Sequence, residues 1–200
     1  MSNGISLYDT LNSSYGDKKA SSNLEKQGYV KDKKRSNDNQ QVYYNPQKKD
    51  LMVNVAGSHN AYDFLVNDVA LAFGGLKSTD RYKQADKTLK EAKKFYQPNT
   101  TIVSGHSLGS SIGKNITSKS DKFIGLDAGY TIGQKTRSNN GNHQNYRTEG
   151  DVVSILGANA KNMKTLKAPK KGILDYALGP LYTAYNRHVD FNNVKKIKIR

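Results

Sequence analysis

Apolar and polar stretches alternate along the chain in a way that predicts strands and helices in turn. The apolar runs at residues 51–55, 100–103 and 123–126 are short and rich in β-branched or aromatic residues, which is typical of buried strands. Between the first two runs, apolar side chains recur every three or four positions over residues 82–96, which predicts one face of a helix that ends before Pro98. This order predicts a mixed α/β sheet covered by helices.

The two ends of the chain and its loops are less regular. Residues 1–27 are rich in Ser, Asn, Gly and Lys without a sustained period, so we interpret them as a polar extension with irregular or weakly ordered structure. Residues 28–200 then form one domain. Within it, residues 62–73 predict a short helix, residues 137–145 a Gly/Asn-rich loop, and residues 194–200 an edge strand protected by its lysines.

The pentapeptide Gly105-His106-Ser107-Leu108-Gly109 is the strongest chemical signal in the chain. It follows a predicted strand and precedes a segment that can be helical, and a Gly-x-Ser-x-Gly turn in that context indicates a nucleophile elbow. Glycine on both sides of the serine avoids steric collision in this strained turn. The pattern therefore predicts that Ser107 is a nucleophile.

A serine nucleophile needs a base, and the chain has only four histidines. Where this elbow occurs in hydrolases the chain order is Ser, acid, His, which leaves His143 and His188. His143 falls in the predicted Gly/Asn-rich loop, so His188 is the better base. Asp151 follows a strand-like stretch and is the better acid, while Asp127, at the end of another strand, stays open as the alternative. The predicted catalytic triad is Ser107, Asp151 and His188.

The tetrahedral intermediate of such a reaction needs two N–H donors. One is the backbone N–H of Leu108, directly after the nucleophile. The other is expected from a loop that follows an earlier strand, where Gly57 and Ser58 come directly after residues 51–55. Ser58 and Leu108 are therefore the predicted oxyanion hole.

These motifs resemble the class 3 lipases, the fungal-type triacylglycerol lipase family. Residues 53–58, followed by Asp63, Phe64 and Asp68, resemble that family's strand, its Gly-Thr/Ser turn and its Asp-Trp helix. The resemblance covers roughly residues 28–195 by pattern, with the elbow as its firmest motif, and is strongest to the small lipase-like proteins of large DNA viruses and their satellites. It implies that residues 62–73 act as a lid or lie beneath one.

Three positions depart from the family pattern. Ala56 stands where the family has an Arg before the Gly-Thr/Ser turn, Phe64 replaces the Trp, and Ser110 replaces the usual second Gly after the elbow. None of these removes a triad or oxyanion role. The first leaves open which group braces the oxyanion loop.

Composition bears on compartment and partners. The chain lacks cysteine, which excludes disulfide and thiol chemistry. Its net charge is +15, and residues 156–200 hold ten Lys/Arg against two Asp, a balance that favours polyanions or anionic membrane surfaces. The four histidines show no metal-ligand spacing, and no cofactor is implied. Without a secretory signal or a membrane-length apolar run, we expect an intracellular or virion-associated protein.

Together these features predict a compact α/β-hydrolase fold with a mixed, mostly parallel sheet and helices on both faces. The predicted function is that of a serine acyl hydrolase, a lipase or phospholipase acting on carboxylic esters of lipids, with an anionic membrane surface as a candidate partner. The alternative from another class is a catalytically inactive, lipase-like basic protein of a virion or bound to nucleic acid. An acyltransferase with the same triad also stays open.

Overall fold

The computed structural model describes residues 4–59, 75–129, 142–151, 153–154, 163–168 and 188–199. The predicted helix and lid at residues 62–73 lie outside this part of the chain. Among the described residues, no helix is long and apolar enough to cross a bilayer.

A seven-stranded sheet forms the centre of the described structure. Its strands follow chain order: β2 (Val30–Lys31), β3 (Gln40–Asn45), β4 (Asp50–Val55), β5 (Thr100–His106), β6 (Lys122–Leu126), β7 (His143–Thr148) and β8 (Met163–Leu166). The pairs β2–β3 and β3–β4 are antiparallel, and all pairs from β4 to β8 are parallel. Because the carboxyl ends of β4 to β8 meet at one edge, the loops that follow these strands converge there.

Helices cover both faces of the sheet. Helix α3 (Asp80–Tyr96) and helix α4 (Leu108–Ile116) pack on the face that carries Val53 and Val103. Helix α1 (Leu7–Ser14) and helix α2 (Lys18–Glu25) pack on the opposite face. The side chains of a strand alternate between faces, so the apolar run of β4 supplies both cores. The predicted mixed, mostly parallel sheet with helices on both faces is confirmed.

The expectation of irregular structure in residues 1–27 is wrong from residue 4 onward. Strand β1 (Ile5–Ser6) pairs antiparallel with β9 (Lys198–Ile199), and α1 and α2 follow it. The buried hydroxyls of Thr10, Ser13 and Ser14 in α1 each donate to the backbone carbonyl three residues earlier. These internal bonds remove the cost of burying hydroxyl groups, which is why a polar-looking segment contributes to the core.

Three further details differ from the sequence interpretation. His143 begins β7 and does not lie in a loop, and β8 forms where no strand was expected. At the end of the chain, Val194 closes a short 3₁₀ helix, and β9 pairs with β1 in a separate two-stranded sheet. The strands β7, β8 and β9 each pair with a segment that does not adjoin them in sequence, which short-range patterns do not reveal.

Candidate active site

The predicted nucleophile elbow has the required backbone geometry. Ser107 lies between β5 and α4 with φ 55° and ψ −126°, a conformation that non-glycine residues rarely adopt. A Cβ on Gly105 would overlap the backbone of Gly109, and a Cβ on Gly109 would overlap the carbonyls of Val55 and Ala56. Both glycines are therefore needed for β4, β5 and α4 to approach one another closely enough to make the turn.

Ser107 is anchored through its backbone, and its side chain is available for chemistry. Its N–H donates to the Leu126 carbonyl at 2.9 Å, and its carbonyl accepts from the N–H of Ser111 at 3.1 Å. Only 2% of Ser107 is exposed, and its Oγ makes no hydrogen bond to any residue in the described part of the chain. A buried hydroxyl without a hydrogen bond, held in a strained turn, is a common feature of functional sites.

His188 and Asp151 are joined by a hydrogen bond between their buried side chains. Asp151 Oδ2 accepts from His188 Nδ1 at 2.5 Å, and both side chains are buried. The other carboxylate oxygen, Oδ1, accepts from the N–H of Ser154 at 2.7 Å and from its hydroxyl at 2.9 Å. Asp151 therefore sits in a turn that orients its carboxylate and directs one oxygen to the imidazole.

The pair shifts the pKa of each member toward its charged form. Burial acts to raise the pKa of Asp151, but the hydrogen bond and charge of His188 outweigh burial and hold that pKa below its ordinary value. Burial acts to lower the pKa of His188, but the hydrogen bond and charge of Asp151 raise it overall. An imidazole with a raised pKa, oriented by a carboxylate, is suited to accept a proton near neutral pH.

His188 lies beside the elbow. Its backbone carbonyl accepts from Nε2 of His106, the residue before Ser107, at 2.8 Å, and the two imidazole centroids are 4.6 Å apart. The hydrogen bond between Ser107 Oγ and His188 is not formed in this structure. In structures without a substrate such catalytic hydrogen bonds are often long, and they shorten when substrate binds.

Asp127, the alternative acid, contacts a loop. It directly follows β6 at φ 50°. Its two oxygens accept from the N–H and hydroxyl of Thr148, with a longer contact at 3.3 Å from the Ser154 hydroxyl. Burial and the nearby charge of Asp151 raise its pKa to about 7. Asp127 thus ties together the two ends of the turn that carries Asp151, and it is Asp151 that binds His188 Nδ1.

The predicted oxyanion loop lies against the nucleophile. A Cβ on Gly57 would come within 3.0 Å of Ser107 Cβ, so the backbone just before Ser58 touches the elbow. Leu108 is the first residue of α4, where helix N–H groups have no partner within the helix. Arg81 Nη2 donates to the carbonyls of Ala56 at 2.7 Å and Gly57 at 3.1 Å. An arginine from α3 thus braces the loop in which Ala56 replaces the family's arginine.

The remaining histidines have other contacts. His59 Nε2 lies 2.7 Å from the Asp38 carbonyl, and His143 Nε2 lies 3.2 Å from the Ser118 carbonyl. Both contacts are solvent-exposed and neither involves the elbow.

The fold brings together one group of described residues that could bind a metal, which the sequence spacing did not reveal. Possible ligand atoms of His106, Asp127 and His188 lie within 4.8 Å of one another. Both nitrogens of His106, Nδ1 of His188 and both oxygens of Asp127 are already engaged in hydrogen bonds. Hydrogen bonding therefore accounts for this arrangement, which belongs to the site already described.

Two residues that contribute to the site were not predicted from the sequence. Ser154 orients Asp151, and Tyr15 contacts both Gly57 and His106. Ser154 three residues after Asp151 matches a short turn pattern and was detectable in principle. Tyr15 had no sequence signal, because the contact joins residues 91 positions apart.

Solved lipase structures share this fold. A triacylglycerol lipase described as having a serine protease triad at its catalytic centre has TM-score 0.60 and 14% identity, over 94% of this chain and 93% of that chain. A mutant form of MDLA from Penicillium cyclopium has TM-score 0.54 and 15% identity, over 96% and 94%. The lipase–propeptide complex from Rhizomucor miehei has TM-score 0.54 and 14% identity, over 80% and 66%.

No protein-family model matches the sequence, and neither does any curated protein. The structural similarities confirm the predicted α/β-hydrolase fold and confirm, at the level of fold, the resemblance to class 3 lipases. The resemblance to viral lipase-like proteins stays a prediction.

Proposed function

We propose that the protein is a serine acyl hydrolase that cleaves carboxylic esters of lipids through Ser107, His188 and Asp151. The observation that carries this proposal is the hydrogen bond between Asp151 and His188, made directly beside a serine in the strained elbow conformation. Three residues far apart in sequence supply the acid, base and nucleophile of a known catalytic arrangement. The lipase fold of the similar structures favours a lipid ester as substrate.

In the proposed first half-reaction, Ser107 Oγ attacks the acyl carbon while its proton passes to His188 Nε2. The electron pair of the carbonyl moves onto oxygen, and the resulting oxyanion accepts hydrogen bonds from the N–H groups of Ser58 and Leu108. Collapse of this intermediate breaks the ester bond, and the proton on His188 passes to the departing alkoxide. The products of this half are an alcohol and an acyl-enzyme.

In the second half-reaction, water attacks the acyl carbon and gives its proton to His188. The new tetrahedral intermediate collapses, Ser107 Oγ takes back the proton, and a fatty acid leaves. Asp151 stays ionised throughout, holds the proton of His188 on Nδ1 and stabilises the imidazolium that forms in each half.

The net charge of the chain favours binding of the substrate at an anionic membrane surface. A net charge of +15 would attract the protein to membranes that expose phosphate or carboxylate groups. We therefore propose lipid esters at an anionic surface as the substrate class, with phospholipids and acylglycerols as the two candidates.

The direct test is replacement of the nucleophile. Ser107→Ala is expected to fold normally, to lose turnover of short-chain nitrophenyl esters by several powers of ten, and to lose labelling by a fluorophosphonate probe. Ser104→Ala is a matched control, because Ser104 is a buried serine on β5, the strand that leads into the elbow, and its hydroxyl donates to Asn54 at 2.8 Å. Full activity or labelling in Ser107→Ala would refute the proposal.

The net positive charge also favours a second candidate, a basic protein that retains the fold and binds nucleic acid without catalysis. Salt-sensitive retention of DNA by a chain that no probe labels would favour it. Acyl transfer by the same triad is a variant of the main proposal, and product analysis with added alcohols distinguishes it from hydrolysis.

A further inference from the structure

A partly buried hydrogen-bond network links the N-terminal helix to three parts of the candidate site. We propose that Tyr15 and His106 are positioning residues, which hold the oxyanion loop and His188 in the correct place relative to Ser107. The inference rests on the proposed function for its catalytic consequence. The network itself involves no atom of the predicted triad side chains.

The network consists of three hydrogen bonds. The N–H of Gly57 donates to Tyr15 Oη at 2.9 Å, Tyr15 Oη lies 2.7 Å from His106 Nδ1, and His106 Nε2 lies 2.8 Å from the carbonyl oxygen of His188. Gly57 immediately precedes the proposed oxyanion donor, His106 immediately precedes the nucleophile, and the carbonyl belongs to the proposed base. Ser58, Ser107 and the imidazole of His188 are therefore each within one residue of a group in this network.

Chemistry permits one arrangement of protons in this network. A carbonyl can only accept, so Nε2 of His106 must carry a proton. Burial, together with the charge of His188, lowers the pKa of His106 well below its ordinary value, so the ring is neutral and Nδ1 carries no proton. Nδ1 must then accept from the Tyr15 hydroxyl, whose oxygen accepts from Gly57. In this arrangement every donor of the three bonds has an acceptor.

Packing makes the network rigid. Tyr15 caps the C-terminus of α1, a helix that is buried against the sheet. Phe191 packs against both rings, with centroids 4.8 Å from His106 and 6.1 Å from Tyr15. A Cβ added to Gly57 would come within 2.5 Å of the Tyr15 oxygen, so the loop and the hydroxyl fit without spare room. Displacement of Tyr15 would therefore move the oxyanion loop.

The main test removes one hydroxyl. In the full chain, Tyr15→Phe is expected to lower kcat on a nitrophenyl ester by about 10- to 100-fold while KM changes by less than about threefold, because misplaced donors affect the transition state more than binding. Tyr43→Phe is the control: Tyr43 is fully buried in the cluster against which the partly buried Tyr15 packs, and its hydroxyl donates to Ser21 at 3.0 Å, away from the site. It should lower thermal stability and leave kcat unchanged.

Two spectroscopic measurements test the network without using activity. In the wild type, ¹⁵N NMR of the His106 imidazole should show a proton on Nε2 and none on Nδ1. The Gly57 amide should be protected from hydrogen exchange in the wild type and should exchange faster in Tyr15→Phe than in Tyr43→Phe. A proton on Nδ1, or equal exchange in the two variants, would overturn the network even if Tyr15→Phe proved too unstable for kinetics.

The possible failures can be distinguished. If the wild type neither hydrolyses esters nor reacts with the fluorophosphonate probe, the proposed function fails and the NMR results decide the network separately. If the wild type is active and Tyr15→Phe retains its kcat while the Gly57 amide exchanges faster, the positioning role is refuted.

Discussion

Asp151→Asn removes the negative charge of the proposed acid while the size and shape of the side chain stay the same. The side chain keeps its size, but the two oxygens of Asp151 have different partners, and these partners determine how an amide must be oriented. Ser154 donates two hydrogen bonds to Oδ1, from its N–H and its hydroxyl. The oxygen of the substituted amide must occupy that position, because an NH₂ group there would face the backbone donor. The NH₂ group is thereby directed at His188 Nδ1.

This orientation reverses the tautomer of His188. In the wild type, Nδ1 donates to Asp151 over 2.5 Å, so a neutral imidazole has Nε2 as its acceptor and can take the serine proton. In Asp151→Asn, Nδ1 accepts from the amide and the proton resides on Nε2, which can no longer act as a base. We expect kcat/KM to fall by about 10³- to 10⁴-fold, or about 4–5.5 kcal/mol of transition-state stabilisation. Asp127 should not compensate, because its two oxygens are held by Thr148 and it makes no hydrogen bond to His188 Nδ1 in this structure.

The assay is turnover of a nitrophenyl ester together with the rate of fluorophosphonate labelling, at several pH values. Raising the pH should not restore Asp151→Asn, since a wrong tautomer is not corrected by deprotonation. Asp121→Asn is the matched control: this carboxylate is also buried, but it accepts from Lys93 and Ser118 away from the elbow. It should cost stability and retain kcat. If Asp151→Asn keeps kcat/KM within about tenfold of the wild type, the assignment of the acid is wrong.

Two further predictions concern pH. Because Asp151 raises the pKa of His188, the acid limb of the kcat/KM profile should have its midpoint above 6.5, with activity lost as pH falls through it. A midpoint at or below 6.5 in the wild type would contradict the pairing. The pKa of Asp127 is about 7 in the folded state, against an ordinary value of 3.8. At pH values between these two, the folded chain holds a proton on Asp127 that the unfolded chain has lost. The contribution of Asp127 to the unfolding free energy should therefore fall as pH rises from 3.8 to about 7, and Asp127→Asn should remove that contribution from the slope in denaturant titrations. An unchanged slope would show that Asp127 is ionised when folded.

The sequence alone was enough to predict the elbow and the strands around it. The Gly-x-Ser-x-Gly turn is local: two glycines and a serine between a strand and a helix specify a backbone geometry that depends on the steric limits of those residues. The apolar runs of β4, β5 and β6 were recognised for the same reason, since their residue types and short length mark buried parallel strands. The sequence also limited the possible bases to a few histidines.

The tertiary structure decided which groups meet. Asp127 and Asp151 were both reasonable acids by sequence, and only the turn held by Thr148 and Ser154 directs Asp151 to His188. The N-terminal segment appeared irregular because hydroxyl residues interrupt its apolar period, although those hydroxyls bond within α1 and are buried. Tyr15 entered the site through a contact across 91 positions. Local sequence patterns encode backbone conformation, whereas contacts between distant segments depend on how the whole chain packs.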